Sequence, residues 1–301
     1  MLVRMNGLTD RKETDNREMA TQNNDHENSS QSGRKKNGIL LNLILAVCVL
    51  VFLGCGCYLG VYFFTSRQAE SAFAEIKLEV EQDNCTEETG KPVYTTVQEK
   101  KVYKKYASVY EENTDFVGWL YIYGTRIDYP VMYTPENEEY YIHRNFQGGY
   151  SAAGTLFAAA NCSPTGKVSD NVIIYGHNMK AGTMFHDPLK YEDEDFYKEH
   201  QTIIFDTLDG PGTYIVIAAF YTKAYPEGDT EHYNIYDFAD AGSKEKFDDY
   251  VSRVKANTPY TIEETASYGD KLLTLSTCAY HTEDGRFVVV AKKIGNNSRL
   301  Q

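Results

Sequence analysis

The sequence predicts a mainly β fold, in which eight short strands form a closed barrel or a sandwich and helices interrupt them. From residue 116 onward, short apolar segments alternate with turn residues at close intervals, which is the pattern of such folds. The chain is also rich in aromatic residues that favour strands, with 25 Tyr and 14 Phe. Before this region lie a polar leader and a long uncharged segment, which set the β domain apart from the N-terminus.

The N-terminal part of the chain predicts a single-pass membrane protein. Residues 1–38 are polar and rich in Asn, Asp, Arg and Ser, which is typical of a disordered tail. Residues 39–64 carry no charge, and about 20 apolar residues are enough to cross a bilayer. A basic run at 34–36 precedes this segment and an acidic stretch follows it, so the N-terminus is expected in the cytoplasm and the rest of the chain outside.

Two other interpretations of the apolar segment are a cleaved signal peptide and a lipoprotein signal. The apolar run is long for a signal peptide, and no small-x-small cleavage site follows it. Leu53-Gly54-Cys55 loosely resembles a lipidation box, but the polar leader before it is long and apolar residues continue past Cys55. The sequence therefore favours an uncleaved signal-anchor.

Residues 65–115 are predicted to form a helical extension between the membrane and the β domain. Apolar residues recur at helical spacing over 67–83, and Gly90 and Pro92 mark a break after them. Residues 99–113, rich in Lys, Glu and Tyr, are a second predicted helix. Both helices are expected to lie against the flank of the β domain.

Residues 116–296 are predicted to form the barrel domain. Its eight predicted strands are 119–123, 126–132, 154–159, 171–176, 202–207, 212–222, 271–277 and 286–293. Helical segments are predicted at 137–144 and 193–200, and a third begins after Ser243 as its N-cap. An apolar stripe of Phe247, Tyr250, Val251 and Val254 supports the third helix.

Three reactive side chains stand at the ends of strand-like segments. Cys278 ends one apolar run, Arg286 opens the next, and His177 follows a third run far upstream. Acyl transfer by a thiol needs a nucleophile, an acid/base and a cation for the developing oxyanion. Singly, these residues could be an inert buried thiol, a structural histidine and a surface arginine. If the last two strands pair as a hairpin, Cys278 and Arg286 lie near opposite each other, close to the turn.

Charge and cysteine content argue against nucleic-acid binding and against a metal site. The net charge of −13 does not fit nucleic-acid binding. The six cysteines lack the spacing of a zinc site, and the acidic run at 192–195 lacks the spacing of calcium ligands. No metal or cofactor is therefore predicted. A disulfide between Cys85 and Cys162 is left open, because spacing alone does not establish one.

The motif Leu275-Ser276-Thr277-Cys278, followed by Arg286 and preceded by Tyr175-Gly176-His177, resembles the signature of the sortases. Sortases are membrane-anchored cysteine transpeptidases of Gram-positive bacteria. The N-terminal helical extension, the segment 137–143 and the helix predicted after Ser243 resemble class B members. This resemblance implies an eight-stranded sortase β-barrel with a helix inserted before the penultimate strand. It also implies two partners, namely secreted proteins with a C-terminal sorting signal and a peptidoglycan amine.

The resemblance further implies a role for each candidate residue. Cys278 would attack the Thr carbonyl of an LPxTG- or NPxT-like signal to form a thioacyl intermediate, and His177 would act as acid and then base. Arg286 would stabilise the oxyanion or hold the substrate backbone. The implied substrate contacts are Tyr175, Ser276, Tyr236 and Asn137, for which barrel packing or surface exposure is the alternative. His281, three residues after Cys278, is expected to be exposed in the connecting turn.

Two alternative functions are left open by the sequence. A surface cysteine protease would form the same thioacyl intermediate and pass it to water instead of an amine. A non-catalytic, membrane-anchored adhesin or scaffold would use the barrel as a binding surface, and its Cys278 would be unreactive.

Overall fold

The computed structural model of the protein describes residues 40–64, 70–80, 91–226, 229 and 231–295. The predicted tail 1–38 and the region of Cys85 lie outside these residues. The chain divides into two compact units, 1–62 and 63–301. The helix Leu40–Phe64 is long and apolar enough to cross a membrane. Its length and composition are compatible with a single membrane anchor.

The first β element is a hairpin that the sequence did not predict. Strands β1 (Tyr94–Val97) and β2 (Lys100–Tyr103) pair in antiparallel fashion. The predicted helix over 99–113 is therefore wrong in its first part: a 3₁₀ turn and the short helix Ala107–Glu112 follow β2. The hairpin turns at Gln98 and Glu99, which both have positive φ. Such turns usually carry Asn or Gly, so the two residues gave no turn signal.

The N-terminal extension packs on the flank of the barrel. In the helix over 70–80, Phe73 and two further apolar residues are buried, and the Phe73 ring lies 5.3 Å from that of Tyr129, edge to face. After the hairpin, the buried Tyr106 hydroxyl donates to Asp206 at 3.0 Å, and Lys105 forms an ion pair with the same carboxylate at 2.9 Å. These contacts join the extension and the barrel into one packed structure.

Eight strands close into the predicted barrel, in the spatial order β10-β8-β7-β3-β4-β5-β6-β9. Each predicted strand is present, with ends shifted by a few residues. The barrel strands are β3 (Phe116–Tyr121), β4 (Asp128–Met132), β5 (Leu156–Ala158), β6 (Asn171–Gly176), β7 (Thr202–Thr207), β8 (Thr213–Lys223), β9 (Leu272–Cys278) and β10 (Gly285–Gly295). Closure leaves the barrel sheet without exposed edges and fills its interior with apolar side chains.

The third predicted helix, Lys244–Asn257, lies between β8 and β9 and is called the insert helix below. Ser243 is its N-cap and accepts from the Lys246 N–H at 3.4 Å. All four predicted stripe residues are buried against the barrel. The buried Tyr250 hydroxyl lies 3.2 Å from Thr274 Oγ1, which donates to Asn171 Oδ1 at 2.8 Å. A satisfied polar network therefore links the helix to β9 and β6.

The two remaining helical predictions differ in outcome. The helix Glu194–Glu199 has Asp193 as its N-cap, accepting from Asp195 N at 2.8 Å, as expected for 193–200. Over 137–144, the chain forms only the 3₁₀ turn Glu138–Tyr141. The carbonyl of Tyr141 accepts from Thr155 N and that of Ile142 lies against His177 Nε2, so these contacts with other segments take the place of a continued helical ladder.

Candidate active site

One cleft of about 520 Å³ contains most of the predicted site residues. It is lined by the three proposed catalytic residues and by Tyr175, Ser276 and Tyr236. Asn137 does not line the cleft: it is exposed and precedes the 3₁₀ turn whose Glu138 and Glu139 do line it. The rest of the lining consists of Ile142, Thr155, Phe157, Gly176, Ala224, Tyr225, Asn234 and Thr277.

Strand register brings Cys278 and Arg286 opposite each other on β9 and β10. The neighbouring pair on the side of the turn, Ala279 and Gly285, is hydrogen-bonded, because Ala279 N donates to Gly285 O at 2.9 Å. Since bonded and non-bonded pairs alternate in antiparallel sheets, Cys278 and Arg286 form a non-hydrogen-bonded pair, the type with closer side chains. Arg286 Nη1 donates to Gly285 O at 3.1 Å, which restrains the guanidinium. The thiol and the cation therefore share one face.

His177 reaches the same cleft from the parallel strand β6. The β6–β9 register pairs Tyr175 with Ser276 and Gly176 with Thr277, so the two strands that precede His177 and carry Cys278 end side by side. A Cβ at Gly176 would lie 2.5 Å from Leu156 and 2.7 Å from Phe185. Only glycine fits before the histidine without displacing these buried side chains.

The hydrogen bond of His177 defines which ring nitrogen can exchange a proton. Its Nε2 lies 2.8 Å from the carbonyl oxygen of Ile142. A carbonyl can only accept, so Nε2 carries the proton and the neutral ring keeps its lone pair on Nδ1. Burial lowers the pKa of His177 below its usual 6.5 and the nearby His143 lowers it further, while the Ile142 carbonyl opposes both. The imidazole is thus mostly neutral near pH 7.

His143 covers His177 and was missed as a site neighbour by sequence reasoning. The two rings stack with centroids 5.2 Å apart and an interplanar angle of 19°. The sequence offered no signal, because His143 is exposed and lies in a 3₁₀ context rather than at a strand end. The stacking of His143 on His177 depends on the fold, which places Ile142 and His143 next to the residue that follows β6.

An aromatic wall forms the other side of the cleft. The Tyr175 ring lies 5.6 Å from Phe157 and 5.9 Å from Tyr236. The Tyr236 hydroxyl and Ser276 Oγ are 2.9 Å apart. Burial raises the pKa of Tyr236 to about 12, although Ser276 and Arg286 act in the opposite direction. Tyr236 therefore keeps its proton at neutral pH and can bond as a neutral hydroxyl.

Two other predictions concern residues away from this wall. His281 is exposed, as expected, and its ring lies 4.6 Å from Tyr221.

Cys162 is a buried free thiol that donates to Ala159 O at 3.1 Å. The other cysteine of the undecided disulfide, Cys85, lies outside the described residues. Within the described part of the chain, no group of three or more His, Cys, Asp or Glu is arranged to hold a metal.

Comparison with known sequences gives matches that agree with one another. Residues 120–294 match the family model described as the sortase domain. Sortase B of Listeria monocytogenes is 32% identical over 248 residues, which cover 81% of this chain and 92% of that protein. Sortase B of Staphylococcus aureus is 28% identical over 198 residues, which cover 65% of this chain and 77% of that protein.

Comparison with solved structures extends the likeness to the fold. The crystal structure of sortase B from Bacillus anthracis superposes with a TM-score of 0.62 at 27% identity, and the match covers 77% of this chain and 99% of that one. A complex of Staphylococcus aureus sortase B with substrate gives a TM-score of 0.62 at 23% identity, covering 76% and 97%. At that identity the second match is a likeness of fold alone.

Proposed function

The chain belongs to the sortase family as a class B member, and we propose that it cleaves a C-terminal sorting signal of LPxTG or NPxT type after its Thr. The released acyl group is then transferred to a peptidoglycan amine. The observation that carries this proposal is the convergence of Cys278, His177 and Arg286 on one cleft of about 520 Å³. Each of the three comes from the end of a different strand of the closed barrel.

The first half of the reaction makes the thioacyl intermediate. The Cys278 thiolate attacks the Thr carbonyl carbon, and the carbonyl oxygen takes up negative charge beside the Arg286 guanidinium, which stabilises it. When the intermediate collapses, the peptide C–N bond breaks and the leaving amine takes a proton from His177. Nδ1 is the atom that gives this proton, because Nε2 stays bonded to the Ile142 carbonyl.

The second half transfers the acyl group. An incoming amine attacks the thioester carbonyl, Arg286 again faces the oxyanion, and His177 Nδ1 accepts the proton that the amine loses. Collapse breaks the C–S bond and returns Cys278 as a thiolate. The lowered pKa of His177 makes the neutral ring a competent base for this step. The imidazolium needed for the first half is accordingly the minor form near pH 7.

The aromatic wall supplies the substrate contacts in this proposal. Tyr175 and Tyr236 line the cleft next to the proposed nucleophile, so an extended peptide whose Thr carbonyl reaches Cys278 would contact their rings. Ser276 also lines the cleft but is almost fully buried, so its proposed contribution is to orient the Tyr236 hydroxyl. Asn137, outside the lining but next to Glu138, is assigned a substrate contact only at the outer rim of the cleft.

The N-terminal part of the chain gives the proposal its location. We assign 1–38 to a cytoplasmic tail, 39–64 to a signal-anchor, 65–115 to an extension and 116–296 to an extracellular catalytic barrel. The apolar helix Leu40–Phe64 and the basic residues before it support this orientation. Cell-wall substrates and amines would then be on the side of the catalytic domain.

A transfer assay tests the proposal. The full chain in detergent is incubated with a panel of quenched sorting peptides, with and without an amine such as triglycine, and the products are identified by mass spectrometry. A ligated product that appears only with amine is expected. Hydrolysis without ligation at saturating amine would instead support the surface protease. Failure of a methanethiosulfonate reagent to label Cys278 would support the adhesin or scaffold.

A further inference from the structure

The main-chain carbonyl of Cys278 faces the strand that leads to His177. Cys278 and Arg286 form a non-hydrogen-bonded pair, so the N–H and C=O of Cys278 point away from β10. On that side of β9 lies β6, which pairs with β9 in parallel. A hydrogen-bond donor to this carbonyl must therefore come from β6 or from the residues that follow it.

The backbone ladder between these two strands ends at Cys278, whose N–H points toward Gly176 O of β6, while its C=O has no further ladder pair. Its last pair joins Gly176 and Thr277. Side chains continue the connection past this point: Thr277 Oγ1 donates to Gly176 O at 2.9 Å, and Asn178 Nδ2 donates to Cys278 O at 3.1 Å. The second bond joins the residue that follows His177 to Cys278 itself.

His186 fixes the orientation of the Asn178 amide. Its Nδ1 lies 2.9 Å from Asn178 Oδ1. Because Cys278 O can only accept, Asn178 must turn its NH₂ group toward Cys278 and its Oδ1 toward His186. His186 Nδ1 must then carry the proton and donate. Three half-buried groups thus form the chain His186–Asn178–Cys278 with one consistent set of donors and acceptors.

The loop that carries His186 folds back on His177 and is held at several points. Phe185 N donates to His177 O at 2.9 Å. Arg126 Nη1 donates to the carbonyl oxygens of Ala181 and Gly182 at 3.1 Å each. The buried Met184 N–H donates to the Tyr129 hydroxyl at 3.2 Å. His186 is therefore a fixed support rather than a mobile surface group.

We propose that Asn178, oriented by His186, is a positioning residue that locks the strand end bearing Cys278 against the strand end bearing His177. This inference rests on the proposed function. Without the Asn178 bond, the connection between β6 and β9 ends at the N–H of Cys278, and the carbonyl of Cys278 loses its tie to the residue after His177. The thiol and the imidazole could then shift relative to each other, and small displacements of reacting groups cost up to about 10²-fold in rate.

Steady-state transfer kinetics on full-length variants test the proposal. Asn178→Ala and Asn178→Asp remove the donor to Cys278 O, His186→Ala removes the support, and His186→Gln keeps a donor. Asn257→Ala is the matched control, because its amide donates at 2.9 Å to the carbonyl of Arg253, and both residues lie on the exposed face of the insert helix. Thermal unfolding of every variant separates loss of position from loss of fold.

The expected result is a split between kcat and KM. Asn178→Ala and Asn178→Asp should lower kcat about tenfold and leave KM within about twofold, since chemistry and not binding is affected. His186→Ala should resemble Asn178→Ala, His186→Gln should recover part of the loss, and the double variant His186→Ala/Asn178→Ala should be no slower than Asn178→Ala. Unchanged kcat in folded Asn178→Ala, or additive losses in the double variant, would overturn the proposal.

A second measurement does not depend on sorting peptides. Iodoacetamide alkylation of the Cys278-bearing peptide is followed by mass spectrometry from about pH 5 to 9, a range in which a thiol–imidazole pair shapes the rate. Asn178→Ala should change this pH profile and Asn257→Ala should not. A wild-type profile in Asn178→Ala overturns the positioning role. If the wild-type protein transfers no peptide, the proposed function fails, while the alkylation profiles still decide the role of Asn178.

Discussion

Cys278 and Arg286 are direct cross-strand partners on β9 and β10. Successive side chains on a strand point to opposite faces, so a slip of one residue in this register would send one of the pair out of the cleft. The separation of the two backbone positions is consequently fixed by the hydrogen bonds of the β9–β10 pairing. A rigid pairing of this kind favours a role for Arg286 in the transition state over one in loose substrate capture.

Arg286→Ala should lower kcat for transfer by about 10²–10³-fold with a smaller effect on KM, as expected when an oxyanion donor is lost. Arg286→Lys should restore only part of the activity, because an ammonium keeps the charge but lacks the planar fork of donors. Cleavage of a quenched sorting peptide measures both values. A change confined to KM would identify Arg286 as a substrate clamp.

Cys278→Ala should abolish cleavage and transfer while leaving thermal unfolding close to that of the wild-type protein. Within the described residues, Cys278 is the one thiol that lines the cleft, and the buried Cys162 lies elsewhere in the barrel. Peptide cleavage and circular dichroism measure the two properties. Appreciable turnover by this variant would contradict the assignment of the nucleophile.

His177→Ala should slow both half-reactions by about 10²–10⁴-fold, which is the usual contribution of a general acid/base. His281→Ala is the matched control and should be nearly silent, because His281 is exposed and packs on Tyr221 outside the cleft lining. Single-turnover acylation and amine transfer are measured separately. A severe defect in His281→Ala beside an active His177→Ala would reverse the assignment.

His177 should also make the protein less stable in mild acid. Its folded pKa lies below the usual 6.5, so the unfolded chain binds the proton more readily. The stabilising contribution is complete above about pH 6.5 and is lost as the pH falls toward the folded pKa. Urea unfolding at about pH 7.5 and 5.5 should show a larger loss for wild type than for His177→Gln. If the free energy of unfolding fell equally in the two proteins, other titratable groups would be responsible for the loss of stability in this pH range.

The bond between Tyr236 and Ser276 should contribute to stability as well as to the shape of the cleft. Ser276 is only 1% exposed, so Tyr236→Phe leaves its hydroxyl buried without this partner, at a cost of about 1–3 kcal/mol. Ser276→Ala should cost a similar amount, and the double variant should cost less than the sum of the two. Urea unfolding measures all three. Strict additivity would show that the two hydroxyls do not interact in solution.

The pattern of short apolar runs separated by turn residues predicted the barrel strands, because strands buried in a barrel need apolar side chains and their connections need turn residues. It also predicted the cross-strand pairing of Cys278 and Arg286, since only a short connection separates their strands. The N-terminal hairpin escaped prediction because its turn residues, Gln98 and Glu99, are unusual for positive φ. Local sequence alone also overestimated the helix around Glu138–Tyr141.

From residue patterns alone, the site could be predicted where a residue occupies the end of a strand, whereas Tyr236, on the 3₁₀ turn Ile235–Asp237, was expected only from the family resemblance. His177 met this criterion, whereas its neighbour His143 and the support His186 lie in segments with no periodic signal. Their contacts arise from chain folding over long separations, as when Asn178 meets Cys278 across 100 residues. Asn137, by contrast, was expected in the site and lies outside its lining. Such placements depend on loop paths, which a single sequence does not encode in any local pattern.

The parallel pairing of β6 with β9 has a consequence for how the protein folds. Thr277 bonds to Gly176 across 101 residues of sequence, so this contact has high contact order and carries a large loop-closure entropy. The strand that bears Cys278 can dock on β6 only after the intervening insert has been accommodated. His177 and Cys278 therefore cannot meet on a partly folded chain in which β9 has not docked on β6. Transfer activity, which needs Cys278 beside His177, should therefore appear together with the docking of β9 on β6, which makes activity itself a reporter of barrel closure.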